Sequence, residues 1–360
     1  MQHASLRSAR PMARQAGLTL IEFMVSIVIG MILIAAIATL IANQSATRVE
    51  IDKSGRMIEN GRYAAQVMTT DMQMAGYWGE YAKTPGTAAA LPDPCTKVEA
   101  DVLASMALHV QGYDAPATLP TDLAVCVKNH KPGTDVVVIR RVDADTTATE
   151  TAGVTDLAKV VAGQFYLQTG LESTGQELQA VMKVGVDAGT DAANFVLKKK
   201  GLVNLAPLRK VIVNIYYISQ CSVQVGTSCV GADNGSPIPT LKRVELSAGG
   251  GTATFTTMTI AEGIENMQID YGVDTDADGA PNGADVNGSA LTFATWPDVM
   301  TMKIHLLARS GETTRGFLDT KTYALGTHGT ASAATGEEGY KRHAFVQSVR
   351  LVNPAMRRVL

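Results

Sequence analysis

Histidine and cysteine are scarce in this chain, and neither falls into a pattern that supports chemistry. The 360 residues hold six histidines, His3, His109, His130, His305, His328 and His343, scattered along the sequence, and four cysteines with no Cys-x-x-Cys spacing. Zinc sites draw on closely spaced Cys and His ligands, so none is readable here. Also absent are the Gly-x-Ser-x-Gly elbow, the His-Glu-x-x-His pair, the phosphate-binding Gly-x-x-x-x-Gly-Lys loop and a Gly-x-Gly-x-x-Gly turn after a strand. No enzyme class is supported, and no cofactor is required. Positive charge is not in excess either. A net charge of -3 and a pI near 6.1 give no field that would collect nucleic acid. The one basic run, Lys198, Lys199 and Lys200, fits a solvated turn or an edge-strand guard. No nucleic-acid partner is expected, and there is no internal repeat.

What is present is concentrated at the N-terminus. From Leu18 to Ala42 the chain is apolar apart from one carboxylate, Glu22. A helix over that run is about 37 Å long, enough to cross a hydrocarbon core of about 30 Å. Arg7, Arg10 and Arg14 precede it without an acid, and such residues stay on the cytoplasmic side, which places everything after Asn43 outside. An ordinary secretory signal has a shorter apolar core followed by an Ala-x-Ala-like cleavage site. Here the good processing point, Gly17, lies before the run. A carboxylate inside a membrane span is costly and seeks a partner. The plain alternative is a signal anchor that tolerates Glu near its end.

This order of parts, a basic leader, Gly17, then an apolar helix with Glu22 in the fifth position counted from Leu18, resembles a type IV prepilin. The resemblance implies that a prepilin peptidase cuts between Gly17 and Leu18 and methylates the new amine. It further implies that Glu22 pairs with the N-terminus of a neighbouring subunit in the filament. Leu18 stands where that family usually has Phe or Met.

No proline occurs between Ala42 and Pro85, so the helix is expected to continue as an amphipathic segment over residues 43–76. Ile51, Ile58, Ala65, Met68 and Met72 recur at helical spacing and form a stripe that can lie against a head. Gly61 interrupts the middle at a cost of about 1 kcal/mol relative to Ala, a sign of close packing. Ala75, Gly76, Tyr77, Trp78 and Gly79 break the pattern and end the helix near Gly76.

Beyond the helix, β-type runs alternate with turn residues. The strongest are 135–142, 209–219, 241–247, 253–260, 264–273, 299–309 and 342–352. In the run 299–309 one face, Met300, Met302, Ile304, Leu306 and Ala308, is apolar. The other carries Lys303, His305 and Arg309, as in a half-buried antiparallel strand with an exposed His305. The expected fold is α+β: a long N-terminal helix, transmembrane over residues 18–42, on an antiparallel sheet head over 77–360, with an inserted lobe around 144–202. Four cysteines fit an oxidising compartment and allow three pairings. One of the three joins Cys221 to Cys229, which are close in sequence, and Cys95 to Cys126 inside a proline-rich connection; the sequence leaves the choice among them open.

The stretch Glu59, Asn60, Gly61, Arg62, Tyr63 and Ala64, followed by Ala75, Gly76, Tyr77 and Gly79, resembles the PilW family of minor pilins. Glu80 stands where many of those sequences have Cys. Membership would imply a non-catalytic subunit that helps prime type IV pilus assembly at the tip. Its partners would be other minor pilins, the major pilin, prepilin peptidase and the inner membrane, with a tip adhesin as a further candidate. The head would sit in the periplasm and then on the extracellular pilus. Alternatives are a minor pseudopilin of a type II secretion system and a membrane-anchored extracytoplasmic binding protein.

One motif carries chemistry of its own. Asp274, Asp276, Asp278, Gly279, Asn282 and Asp285 occupy positions 1, 3, 5, 6, 9 and 12 of a calcium-loop pattern, with Asp for the usual final Glu. Alternate carboxylates around a Gly turn can converge on a hard cation. No helix pair flanks the loop, and Asp, Asn and Gly also build plain solvated hairpins. PilW-like sequences frequently carry a similar acidic segment, so calcium is an optional ligand of these residues.

Overall fold

The computed structural model describes residues 17, 19–81, 83–146, 150–151, 154–155, 157–172 and 177–359. The expectations placed on the leader through residue 16 and on Leu18 fall outside them.

Helix α1 (Leu20–Gln73) opens the described chain. The chain divides into two units, Met1–Asp52 and Lys53–Leu360. In the first, the helical residues expose their apolar side chains, Leu20 at 79% and Ile34 at 69%, and a segment of α1 is long and apolar enough to cross a membrane. Surfaces of that kind need lipid or protein around them.

The second unit contains the rest. Its elements in order are α2 (Glu99–Ser105), β1 (Val110–Tyr113), β2 (Val136–Val142), β3 (Glu150–Thr151), β4 (Val154–Thr155), β5 (Phe165–Leu171), β6 (Leu178–Val184) and α3 (Ala188–Asn194). Then follow β7 (Leu208–Ser219), α4 (Ala232–Gly235, a distorted single turn), β8 (Thr240–Gly249), β9 (Thr252–Glu262), β10 (Ile264–Val273) and β11 (Val299–Arg309). The last are β12 (Thr322–Ala324), β13 (Thr330–Ser332), β14 (Arg342–Arg350) and α5 (Val352–Val359). Strand β7 is the hub of a seven-stranded sheet, pairing with β2, β5 and β8, while β1, β6 and β9 extend it. A second sheet runs β10-β11-β14. Every strand pairing is antiparallel. The α+β class expected from the sequence is the one observed, with two main sheets in the head.

The period of two in β7 explains why one strand serves two cores. Val211, Val213, Ile215 and Tyr217 point to one side, where they meet Phe165, Leu167, Trp78 and the Cys95–Cys126 disulfide. Tyr216 and Ile218 point to the other, toward Met57, Ala64, Met68 and Met72 of α1 and toward Ile269, Met302 and Ile304 of the second sheet. Strand β2 lies between both cores, which is why its sequence, Val-Val-Val-Ile, does not alternate.

The packed stripe of α1 differs from the one expected. Met57, Gly61, Ala64, Met68 and Met72 are buried, together with Asp71, whereas Ile51 and Ile58 are exposed. Asp71 sets this rotation. Its carboxylate accepts hydrogen bonds from Arg141 Nε (2.7 Å), Asn214 Nδ2 (2.6 Å) and Tyr216 OH (3.0 Å), which fix it against the sheet. At Gly61 the helix comes so close to β14 that a Cβ would lie 2.1 Å from Phe345 Cε2.

His305 is buried, against expectation. Asp270 on the neighbouring strand accepts from its Nε2 at 3.0 Å, and Thr327 closes over the same carboxylate through its hydroxyl at 2.6 Å. The run 342–352 also divides: the strand stops at Arg350 and Val352 begins α5. A second bridge joins Cys221 to Cys229.

Candidate functional site

The acidic loop follows β10. Asp274 is buried and serves as the hub of the turn: its Oδ1 accepts from the backbone N–H groups of Asp276 (3.2 Å) and Ala277 (2.7 Å), and its Oδ2 from Gly279 (2.9 Å). Burial by itself raises the Asp274 carboxyl. The N–H groups of Gly279 and Ala277, with Arg358, outweigh it and hold the carboxyl below its ordinary value. Gly279 has φ of 82°, and a Cβ there would stand 2.6 Å from the Ala355 carbonyl, so the turn requires glycine and lies against α5.

Among the six residues of the pattern, the structure groups some and separates others. Asp274, Asp276 and Asp278 each offer an oxygen within 4.8 Å of the others. Asn282 joins the same turn: its Oδ1 accepts from Thr275 N (2.7 Å) and its Nδ2 donates to Asp276 Oδ2 (3.3 Å). Asp285 is directed elsewhere, 3.7 Å from Lys303 Nζ. Three carboxylates, two of them exposed, suit a hard cation with oxygen ligands. The twelfth-position Asp does not complete the set.

Sequence reasoning passed over the element that joins this loop to α1. Helix α5 has eight residues, and nothing in its short sequence marks it as a clamp. Arg358 pairs with Asp274 (3.3 Å) and with Asp298. On the same helix, Arg357 Nη1 donates to the Gly76 carbonyl (2.7 Å), and Asn353 Nδ2 donates to the carbonyls of Ala75 (3.2 Å) and Gln73 (3.4 Å). The last turn of α1 contains no basic residue. A helix C-terminus leaves carbonyls without partners and carries partial negative charge. Helix α5 therefore places one donor on the last carbonyl of α1, two more on the carbonyls of the turn that follows it, and a cation near a helix end that has none of its own. The observed helix ends at Gln73, and Gly76 follows with φ of 70°.

In the other unit, Glu22 lies in the first turn of α1, where a carboxylate complements the positive end of the helix. Its backbone N–H donates to Thr19 Oγ1 (3.3 Å) and its carbonyl accepts from Ser26 Oγ (2.7 Å). The residue is exposed, and no cation among the described residues pairs with it. Gly17 is exposed with open space around its Cα.

The comparisons with known proteins fall on these segments. Residues 215–353, from β7 through the acidic loop into α5, match the family of type IV pilus-assembly protein W. Residues 12–38 match the prokaryotic N-terminal methylation motif. Among solved structures, a type IV-like pilin from Thermus thermophilus is 12% identical over 55% of this chain and 90% of that chain, with a TM-score of 0.22. No curated protein matches the chain.

Proposed function

We propose that this chain, a PilW-like type IV pilin with an N-terminal methylation motif, is a non-catalytic minor pilin. It is held in the inner membrane by α1 before assembly, is cleaved after Gly17, and joins other minor pilins in a complex that primes type IV pilus assembly at the tip. The observation that carries this reading is the presence of both matching segments in one chain: an export-and-processing signal at residues 12–38 and a pilus-assembly segment at residues 215–353.

The physical features agree. An exposed apolar helix suits first a bilayer and then a bundle of like helices. Glu22 is tolerable near the membrane edge, and it becomes useful when a neighbour's amine arrives to pair with it. The cation-binding capacity of the acidic loop is part of this proposal. Calcium held by Asp274, Asp276 and Asp278 would stiffen the surface that α5 also clamps.

Deletion of the gene should abolish surface pili and twitching motility while leaving exoprotein secretion intact. Loss of secretion with normal pili would overturn the reading in favour of a pseudopilin. Glu22→Ala should leave the protein in the membrane and impair assembly. In cells without prepilin peptidase the chain should run more slowly on a gel by the mass of the leader.

A further inference from the structure

Beside the helix junction lies a cavity of about 370 Å3, lined by Trp78, Lys83, His109, Pro354, Arg357 and Arg358 among others. Its charge is one-sided: three of the lining residues are cationic and none is acidic. Arg358 is already neutralised by Asp274 and Asp298. Arg357 is not. Its one hydrogen-bond acceptor among the described residues is the uncharged carbonyl of Gly76, and burial alone lowers its pKa to about 10. Lys83 is exposed at the rim. Trp78 is 1% exposed, and its indole N–H has no acceptor among the described residues. His109 is kept neutral, donating from Nε2 to the Val299 carbonyl at 2.8 Å.

An unpaired guanidinium that has lost part of its hydration is a costly arrangement. Its planar N–H groups match a carboxylate, and charge-assisted bonds of that kind are about twice as strong as neutral ones. Arg357 gives Nη1 to the Gly76 carbonyl, which leaves Nη2 and Nε to recognise something else. The cavity is far larger than the space of about 10 to 15 Å3 that a single water needs on the same measure.

We propose that this cavity binds a carboxylate, with Arg357 as its principal partner and Lys83 as a second charge at the mouth. The occupant is either a small free organic acid or an acidic side chain of a neighbouring subunit. Both present the same group to Arg357.

The test uses the full-length chain in detergent micelles, with isotope-labelled tryptophan and succinate as the probe. The protein has two tryptophans, and Trp296, stacked edge-on to Tyr271 at 4.9 Å, is the internal control. Succinate should shift the Trp78 indole signal saturably, with a Kd of about 1 mM, and leave Trp296 in place. Arg357→Gln retains a donor for Gly76 and should weaken binding about tenfold. Lys83→Ala lies at the exposed rim, should not disturb folding, and should weaken binding by a smaller factor. A photocrosslinker at Thr84 in intact cells distinguishes the sources. Capture of another pilus subunit that is lost in Arg357→Gln supports a protein carboxylate, and succinate binding without capture supports a free acid. No saturable shift at about 50 mM, well above the expected Kd, or an equal shift in both variants, overturns the proposal.

Discussion

The ring of Phe345 occupies the space that a side chain at position 61 would need: a Cβ on Gly61 would lie 2.1 Å from Phe345 Cε2. Two effects oppose each other at this position. Alanine is favoured over glycine inside a helix by about 1 kcal/mol, and crowding a packed contact costs about 1 to 3 kcal/mol. Gly61→Ala should therefore destabilise the intact protein by about 1 kcal/mol. In a Phe345→Ala background the same change should stabilise by about 1 kcal/mol. Denaturant titrations of the four proteins of the cycle check this. An unchanged sign would mean that the contact does not set the helix position.

Asp71 offers a second measurement. Removing it takes from Arg141, Asn214 and Tyr216 the carboxylate that accepts their donors. Asp71→Ala should cost about 3 kcal/mol, in the range for breaking a buried ion pair from the carboxylate side. Arg141→Ala should cost less, because Arg141 is the more exposed partner and Asp71 keeps its two neutral donors. Near-UV circular dichroism through a urea titration would rank the variants.

Burial holds His109 neutral, with its pKa lowered from 6.5 to about 4. A histidine whose folded pKa lies below its unfolded value gives the folded state its full advantage above pH 6.5. That advantage shrinks as pH falls and is lost at about pH 4, at about 1.4 kcal/mol per pH unit across the window. Stability should decline over this window in the unmodified chain. His109→Gln, which retains a donor for Val299, should flatten the acid limb. An identical acid profile in the variant would show that other groups govern it.

The acidic loop makes a thermodynamic prediction. Calorimetry on the full-length chain should detect calcium with a dissociation constant of about 10⁻⁴ to 10⁻³ M, the range for extracellular sites. Asp276→Ala together with Asp278→Ala should abolish the heat without unfolding the turn, because both are exposed and the turn hangs on Asp274. No calcium heat in the unmodified chain would leave the loop as a structural cap for α5.

The strands that were legible in the sequence share one property: their pattern is local. Val299–Arg309 alternates because its apolar face packs with residues of α1, while the more polar face meets other partners, with Thr301 and Lys303 only half-buried, and β7, β8, β9 and β10 begin and end within about two residues of their apolar runs. Strands β5 and β6 went unread because Thr, Gln and Gly dilute their apolar residues; they are held by pairing to each other and to β7. Helix α5 was hidden for a related reason. Eight residues are too few to form a helix on their own, and this one exists because Asn353, Arg357 and Arg358 find acceptors on the turn that follows α1 and on the acidic loop. His305 shows the same limit. Its polar neighbours in the strand imply exposure, and only the register with β10 brings Asp270 within 3.0 Å.

By itself the sequence determined the apolar helix, the single carboxylate at Glu22, the glycine before the run, the α+β class and the acidic spacing at 274–285, since each rests on residues near one another in the chain. The tertiary structure decided which side of α1 is buried, which four acidic-loop residues share a turn, and that residues 353–358 close the end of a helix finishing at Gln73. The first and last depend on contacts between segments far apart in the chain, such as Asp71 with Asn214 and Gly76 with Arg357, where periodicity carries no information and only the geometry of packing selects the partner; the shared turn depends on the backbone that Asp274 gathers around its carboxylate.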